Sequence, residues 1–260
     1  MHTPFDLMVA PNGARLQKAD HPALPITQAE IVETARRCEE AGATAIHVHV
    51  RDEAGQHSIE PHRYSVVIEE LVQATTLRIQ ASTEAAETFD VAAQFLCLSN
   101  VAAAEVSISL REISRSPHLF SETYAVAAHR SIDVQHILYS ADEVTELLQK
   151  FDAGEIPEQN RRAIFVLGRY SQEQQSSVSD LKPFLSSMGG NHLLWSVCAF
   201  GQAEQDCLLA ALDHGGHARI GFENNRLSPD GRVFESNEAS VSAFVERAAK
   251  AGFSPARGIL

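Results

Sequence analysis

Two histidines one residue apart interrupt the apolar run Thr44-Ala45-Ile46-His47-Val48-His49-Val50-Arg51-Asp52. A strand turns successive side chains to opposite faces, so His47 and His49 share one face while Ile46, Val48 and Val50 share the other. Imidazoles two positions apart on a strand stand about 7 Å apart along it, within reach of one divalent cation. A pair of core histidines bonded to neighbours is the bland alternative. The pair closes the strand and runs straight into Arg51 and Asp52, which points instead to a site at the strand's end. A second polar strand end lies far along the chain, at Arg219-Ile220-Gly221-Phe222-Glu223-Asn224-Asn225. The same alternation puts Arg219, Gly221 and Glu223 on one face. Glu223 could complete a His2Glu set with an open position, the ligand count of a catalytic zinc site. A carboxylate satisfying backbone donors at a helix start is its alternative. Arg219 would then stand beside the site as a fixed cation, suited to a carboxylate or a developing enolate.

Strand-length apolar runs alternate with amphipathic stretches along the whole chain. The strands are read at Phe5–Ala10, Thr44–Val50, Leu77–Ala81, Ala104–Leu110, Val134–Tyr139, Ala163–Gly168, Leu193–Phe200 and Ala218–Phe222. Thr27 with Glu30 three residues on forms a capping-box signature for the first helix, Gly42 ends it, and Pro61 opens the second. Eight strand–helix units in 260 residues predict one (β/α)8 TIM barrel, an α/β fold, spanning 1–260. A doubly wound open sheet would alternate in the same way, but the first strand lacks a GxGxxG turn and no linker divides the chain. Active sites of barrels sit at the C-terminal ends of the strands, where His47, His49 and Glu223 are expected.

The other strand ends supply further candidates. The loop Ala10-Pro11-Asn12-Gly13-Ala14-Arg15 offers Asn12, a glycine allowing close backbone approach, and Arg15, able to fork onto a carboxylate. Ser82, Thr83 and Glu84 form a small polar cluster after the third strand. Glu105, Ser107 and Ser109 alternate along the fourth. His136 reads as a satisfied core residue, His57 and His62 as solvated or capping groups around a turn. The seventh strand's Cys198-Ala199-Phe200-Gly201 demands no chemistry. Arg169 could reach the mouth. A formal charge of -13 excludes a nucleic-acid surface without excluding an anionic substrate. No apolar run reaches membrane-spanning length, the N-terminus lacks a signal-peptide pattern, and four scattered cysteines read as buried thiols. A cytoplasmic protein is expected.

The combination of motifs resembles the β-keto acid cleavage enzyme family. The matching residues are Ala10 to Arg15, His21-Pro22-Ala23-Leu24-Pro25-Ile26-Thr27, His47 to Asp52, Gly215 to Asn225, and Ser228-Pro229-Asp230-Gly231. The resemblance implies a barrel binding Zn2+ through His47, His49 and Glu223, assembled as a homotetramer. It implies exchange between a β-keto acid and acetyl-CoA, giving acetoacetate and a new acyl-CoA. It also assigns Arg219 to substrate activation and Ser82 to the family's third-strand serine. Two departures stand out. Family members carry an Asp after the metal-binding Glu, where this chain has Asn224, which cannot be a general base. Glu84 or Glu105 is therefore expected in that role, or the chemistry differs. Arg15 stands where members acting on an amino-bearing keto acid have a glutamate, which implies an anionic substrate here. A carbon–carbon lyase working without CoA, such as a retro-aldolase, and a non-catalytic metal- and anion-binding barrel are the alternative readings.

Overall fold

Local signals set the elements. The Thr27 hydroxyl accepts from the Glu30 N–H at 3.3 Å while the Glu30 carboxylate accepts from the Thr27 N–H at 3.0 Å, a reciprocal cap for helix Gln28–Glu40. Pro61 takes the first position of helix Pro61–Ala74, where a missing N–H costs nothing. The computed structural model describes residues 2–258, apart from the side chain of Gln172.

Eight strands close into a barrel: β1 (Leu7–Val9), β2 (Ala45–Val48), β3 (Arg78–Ser82), β4 (Glu105–Ser109), β5 (Asp133–Leu138), β6 (Arg162–Leu167), β7 (Leu194–Ala199) and β8 (His217–Ile220). Each pairs in parallel with the next, and β8 returns to β1 through Arg219 opposite Met8, so the predicted (β/α)8 barrel is present. Outward Ile46, Val48, Val106, Val134 and Val197 join one apolar layer with the surrounding helices. All four cysteines are buried thiols. No helix among the described residues is long and apolar enough to cross a membrane.

Three expectations change. The run Phe5–Ala10 is not one strand: Thr3–Phe5 pairs with Phe253–Pro255 outside the barrel, and only Leu7–Val9 joins the barrel. Asp6 marks the break, because its carboxylate turns inward to accept from the Thr44 hydroxyl at 2.8 Å and pair with Arg78 at 2.7 Å. The last barrel strand stops at Ile220, so Glu223 is not on a strand. Gly221, at φ 138°, turns the chain there, and a Cβ at that position would lie 2.4 Å from the Ala10 carbonyl oxygen. The third change concerns Glu105. It is the first residue of β4, at the N-terminal end of the barrel, bonded to Arg78 and lying 3.3 Å from Arg162. It cannot reach the catalytic rim.

Glu105 thus neutralises two arginines inside the barrel floor, with Asp6 and Asp133 at its flanks. Removing one charge of such a buried network leaves the others uncompensated. Glu105→Gln is expected to lower unfolding free energy by about 3 kcal/mol, read from the urea midpoint, while leaving metal binding unchanged.

Candidate active site

β2 leaves the barrel at His49, and the chain continues as the hairpin strand Val50–Arg51 against His57–Ser58. His47 and His49 therefore face the barrel interior at its C-terminal end, both buried. Their Nε2 atoms stand 3.1 Å apart, and Glu223 Oε2 lies 3.8 Å from the first and 3.6 Å from the second. Zinc ligands about 2.0–2.1 Å from a tetrahedral centre stand about 3.3 Å from one another, so the three atoms fit around one ion. Glu223 Oε2 is buried with no hydrogen-bond partner and faces the Nε2 atoms of both histidines. A carboxylate oxygen left unpartnered beside two imidazole nitrogens suits a cation. Burial pushes His47 down to about 4, against the pull of Glu223, and holds His49 well below its ordinary value. Both rings are neutral, as ligation requires.

The tautomer of His47 is held from behind. Its Nδ1 lies 2.8 Å from Gln80 Oε1, an acceptor only, so Nδ1 carries the proton and Nε2 keeps its lone pair. Gln80 is itself oriented by donating to Gln135 Oε1 at 3.1 Å, and Gln135 donates to Ser196 Oγ at 3.2 Å. This buried relay crosses the barrel from β3 to β7. Sequence reasoning missed Gln135 and Ser196, although polar residues at inward positions of apolar strands were the available signal.

Glu223 reaches the histidines from a turn. A straight strand would separate positions 219 and 223 by about 13 Å. Instead the turn folds Glu223 back, and Arg219 Nη2 donates to Glu223 Oε1 at 3.1 Å and to Cys198 Sγ at 3.3 Å. Burial works against the Arg219 charge, but Cys198 and Glu223 outweigh it and raise its pKa. Burial pushes the Cys198 thiol up to about 11, so it stays neutral. Arg219 Nε and Nη1 have no partner, and neither does either polar atom of the Asn224 side chain. The loop after β1 makes room for Glu223: a Cβ on Gly13, at φ 64°, would come within 2.6 Å of Glu223 Cγ. Arg51 pins that loop, donating to the Gly13 and Leu16 carbonyls at 2.7 and 2.8 Å.

One cavity collects Asn12, Arg15, His47, Ser82, Glu84, Arg219, Glu223 and Asn224. Within it, Asn12 spends its amide on the Pro25 and His49 carbonyls, leaving only Oδ1 free. Ser82 Oγ accepts from the Glu84 N–H at 3.2 Å. Glu84 Oε2 lies 3.8 Å from His49 Nε2, and burial, then the Glu223 charge, push the Glu84 carboxyl up to about 7. Arg15 is half exposed and pairs loosely with Glu87 at 3.6 Å. Thr83 and Ser107 are not in the lining: the Thr83 hydroxyl donates to the Ser107 carbonyl at 2.7 Å, below the cavity wall. His57, read as a solvated or capping group, is half-buried beside the site and serves a backbone carbonyl. It packs on His49 with ring centroids 5.3 Å apart and bonds the Glu84 carbonyl oxygen at 2.8 Å. His136 is a core residue on the Arg162 carbonyl at 2.9 Å.

A family model described as beta-keto acid cleavage enzyme matches residues 5–258. The chain belongs to the β-keto acid cleavage enzyme family. Its relatives include a 3-oxoadipate:acetyl-CoA acetyltransferase of Cupriavidus necator, 26% identical over 249 residues, covering 93% of this chain and 87% of the relative. A 3-keto-5-aminohexanoate cleavage enzyme of Fusobacterium nucleatum is 26% identical over 254 residues, covering 92% of this chain and 89% of that one. Among solved structures, ObcA in its apo form superposes with a TM-score of 0.71 at 15% identity, over 91% of this chain and 64% of ObcA, which carries the fold alone.

The Gln80 relay is testable without turnover. Partners that orient a metal-bound imidazole from behind typically contribute about 10–100-fold in affinity. Gln80→Leu is expected to weaken binding of a divalent cation at this set by that factor, read by competition with a chromophoric chelator.

Proposed function

We propose that this β-keto acid cleavage family member is a zinc-dependent acyltransferase that converts an anionic β-keto acid and acetyl-CoA into acetoacetate and a new acyl-CoA. The observation that carries the reading is the His47/His49/Glu223 triad meeting Arg219 in a cavity whose buried polar atoms lack partners. The printed names of the relatives, an acetyl-CoA acetyltransferase and a keto acid cleavage enzyme, agree with it. Zinc bound by the three ligands would act as a Lewis acid on the ketone oxygen and stabilise negative charge there.

The chain's own residues supply the rest. Arg219 presents unpartnered N–H groups to the substrate carboxylate or to the developing enolate oxygen. Glu84 takes the role of general base, removing a proton from the carbon between ketone and carboxylate. It is the cavity carboxylate not committed to the metal set, and the structure removes Glu105 from contention. The carbanion then attacks the acetyl thioester, expelling CoA thiolate. Thiolate attack on the original ketone carbon breaks its bond to the carbon between ketone and carboxylate, and the proton returns to the released acetoacetate. Atoms balance with no covalent enzyme nucleophile. Ser82 and Asn224 line the same space and can hydrogen-bond the substrate; Asn224 cannot itself take a proton. Arg15 at the mouth favours an anionic tail over an ammonium. The homotetramer implied by the resemblance belongs to the same proposal, and sedimentation reads it.

The deciding assay is acetoacetate formation from β-keto acids by zinc-loaded protein, followed by mass spectrometry with and without acetyl-CoA. Acetyl-CoA dependence is expected; keto acid consumption without it would point to a retro-aldol lyase, and no consumption to a binding protein. Glu84→Gln should lower kcat about 10²–10⁴-fold while zinc binding persists. Arg15→Glu should shift the ratio of kcat/KM for anionic over cationic keto acids toward the cation, and an unmoved ratio would sink the role of Arg15.

A further inference from the structure

The catalytic end differs from one side of the ring to the other. The metal set gathers where β8, β1 and β2 meet, with Arg219, Ser82, Glu84 and Asn224 in the same lining. In a ring of eight strands β5 stands opposite β1. The residue that follows β5 is Tyr139, and it lines the same cavity. Its neighbours there, Ile137, Val166 and Phe200, are apolar. Gln174, a neutral donor on that side, is exposed on the loop after β6. Nothing in the reaction proposed above uses Tyr139.

Three contacts clamp this phenol. The Tyr139 N–H donates to Glu143 Oε2, and Glu143 Oε1 accepts from Arg111 Nε. The Arg111 guanidinium lies over the Tyr139 ring, 4.5 Å from its centre, a cation–π distance. The Tyr170 ring meets the same ring edge-on, with centroids 5.2 Å apart. Glu143 belongs to the first turn of helix Ala141–Asp152 and Arg111 to the short helix Leu110–Ile113, so two separate elements fix one side chain. The hydroxyl at the end of the clamped ring makes no hydrogen bond among the described residues. A phenol O–H in an enclosed site usually finds a partner. Burial, then the Glu84 charge, hold its pKa well above the ordinary value, so the group keeps its proton and acts as a donor. Burial works against the Arg219 charge, whereas Cys198, Glu223 and then Tyr139 support it, which puts the phenol within electrostatic reach of the metal side.

We infer that the Tyr139 hydroxyl donates a hydrogen bond to the thioester carbonyl oxygen of acetyl-CoA and stabilises the alkoxide that forms there during acyl transfer. The inference rests on the reaction proposed above. That reaction develops negative charge on two oxygens, first on the ketone of the keto acid and then on the thioester. The His47/His49/Glu223 set and Arg219 stand at the first. The attacking carbon is bonded to that ketone carbon, so the thioester must approach from the far side of the cavity, where Tyr139 stands. The carbanion's electron pair forms the new carbon–carbon bond while the carbonyl pair moves onto the thioester oxygen, and that pair returns as CoA thiolate leaves. Tyr139 keeps its proton throughout. Arg111 over the ring favours the negative charge gathering at its end. A phenylalanine would fill the clamp equally well; the hydroxyl is the part that only this chemistry needs.

Acetoacetate, the product of the proposed reaction, serves as the probe in Tyr139→Phe and wild type, both zinc-loaded. Deuterium uptake from heavy water at the carbon between its ketone and carboxylate, without acetyl-CoA, reports carbanion formation. Passage of an isotopically labelled acetyl group from acetyl-CoA into acetoacetate reports attack on the thioester. Tyr139→Phe should take up deuterium at the wild-type rate, above the enzyme-free control, which also shows that its site is folded and loaded. Its acetyl transfer should be about 10²–10³-fold slower, the loss seen when one such donor is removed. The KM for acetyl-CoA should stay nearly unchanged, because the bond strengthens only as the oxygen gains charge. Undiminished transfer, or deuterium uptake that falls in step with transfer, overturns the donor role. So does a raised KM with kcat intact, which would make the hydroxyl a binding contact only. Failure of the underlying reaction is read in wild type instead: deuterium uptake with no acetyl transfer there sinks the acyltransferase reading, and the donor role with it.

Discussion

A largely enclosed carboxylate with only one of its oxygens answered is the constraint around which the catalytic end is organised. Glu223 gives one oxygen to Arg219 at 3.1 Å and leaves the other facing two neutral imidazoles. A buried anion needs a partner for each face, so the unanswered oxygen defines where a cation belongs. The supporting parts follow from that need. Gly13 clears space for the side chain, Arg51 fixes the loop that carries Gly13, and Gly221 turns the chain so that Glu223 can fold back. Asn237 ties the two loops together, accepting from the Phe222 N–H and donating to the Pro11 carbonyl, each at 3.0 Å.

Much of this was legible in the sequence, for a reason specific to strands. Alternation reveals which face a residue occupies, and it placed His47 and His49 inside the barrel. It does not reveal height along the barrel axis, and Glu105 shows the consequence. It shares an inward face with Ser107 and Ser109, yet as the first residue of β4 it belongs to the floor. Arg162 likewise opens its strand there, and Arg78 joins it at the start of β3. Alternation puts Glu223 on a strand face with Arg219, whereas a turn beyond the end of β8 brings the two together. Hydrogen-bond relays such as Gln80–Gln135–Ser196 join three strands distant in sequence, and no local pattern announces their pairing.

Ile137, Ile164, Val166 and Cys198 form an apolar cluster inside the barrel on β5–β7, across the ring from the metal set, and this division of the interior has a structural origin. In a closed barrel the inward positions of every strand meet in one small volume, so each strand contributes only a few side chains to the catalytic end. Assigning charge to one arc and hydrocarbon to the other keeps the desolvation cost of Arg219 and Glu223 beside groups that answer it. The thiol of Cys198 lies at the boundary, touching Arg219 on one side and the Ile137 cluster on the other.

The candidate metal set straddles the seam where the barrel closes. His47 and His49 come from the second strand and its end, Glu223 from the turn after the eighth, and β1 stands between β8 and β2. Sequence-distant ligands of this kind cannot gather until the whole ring is assembled. A nascent or truncated chain would present two histidines without their carboxylate, and an ion bound by all three would stabilise only the closed ring. The cation would thus serve as a clasp on the last joint of the fold, making completion of the chain and readiness for chemistry a single event.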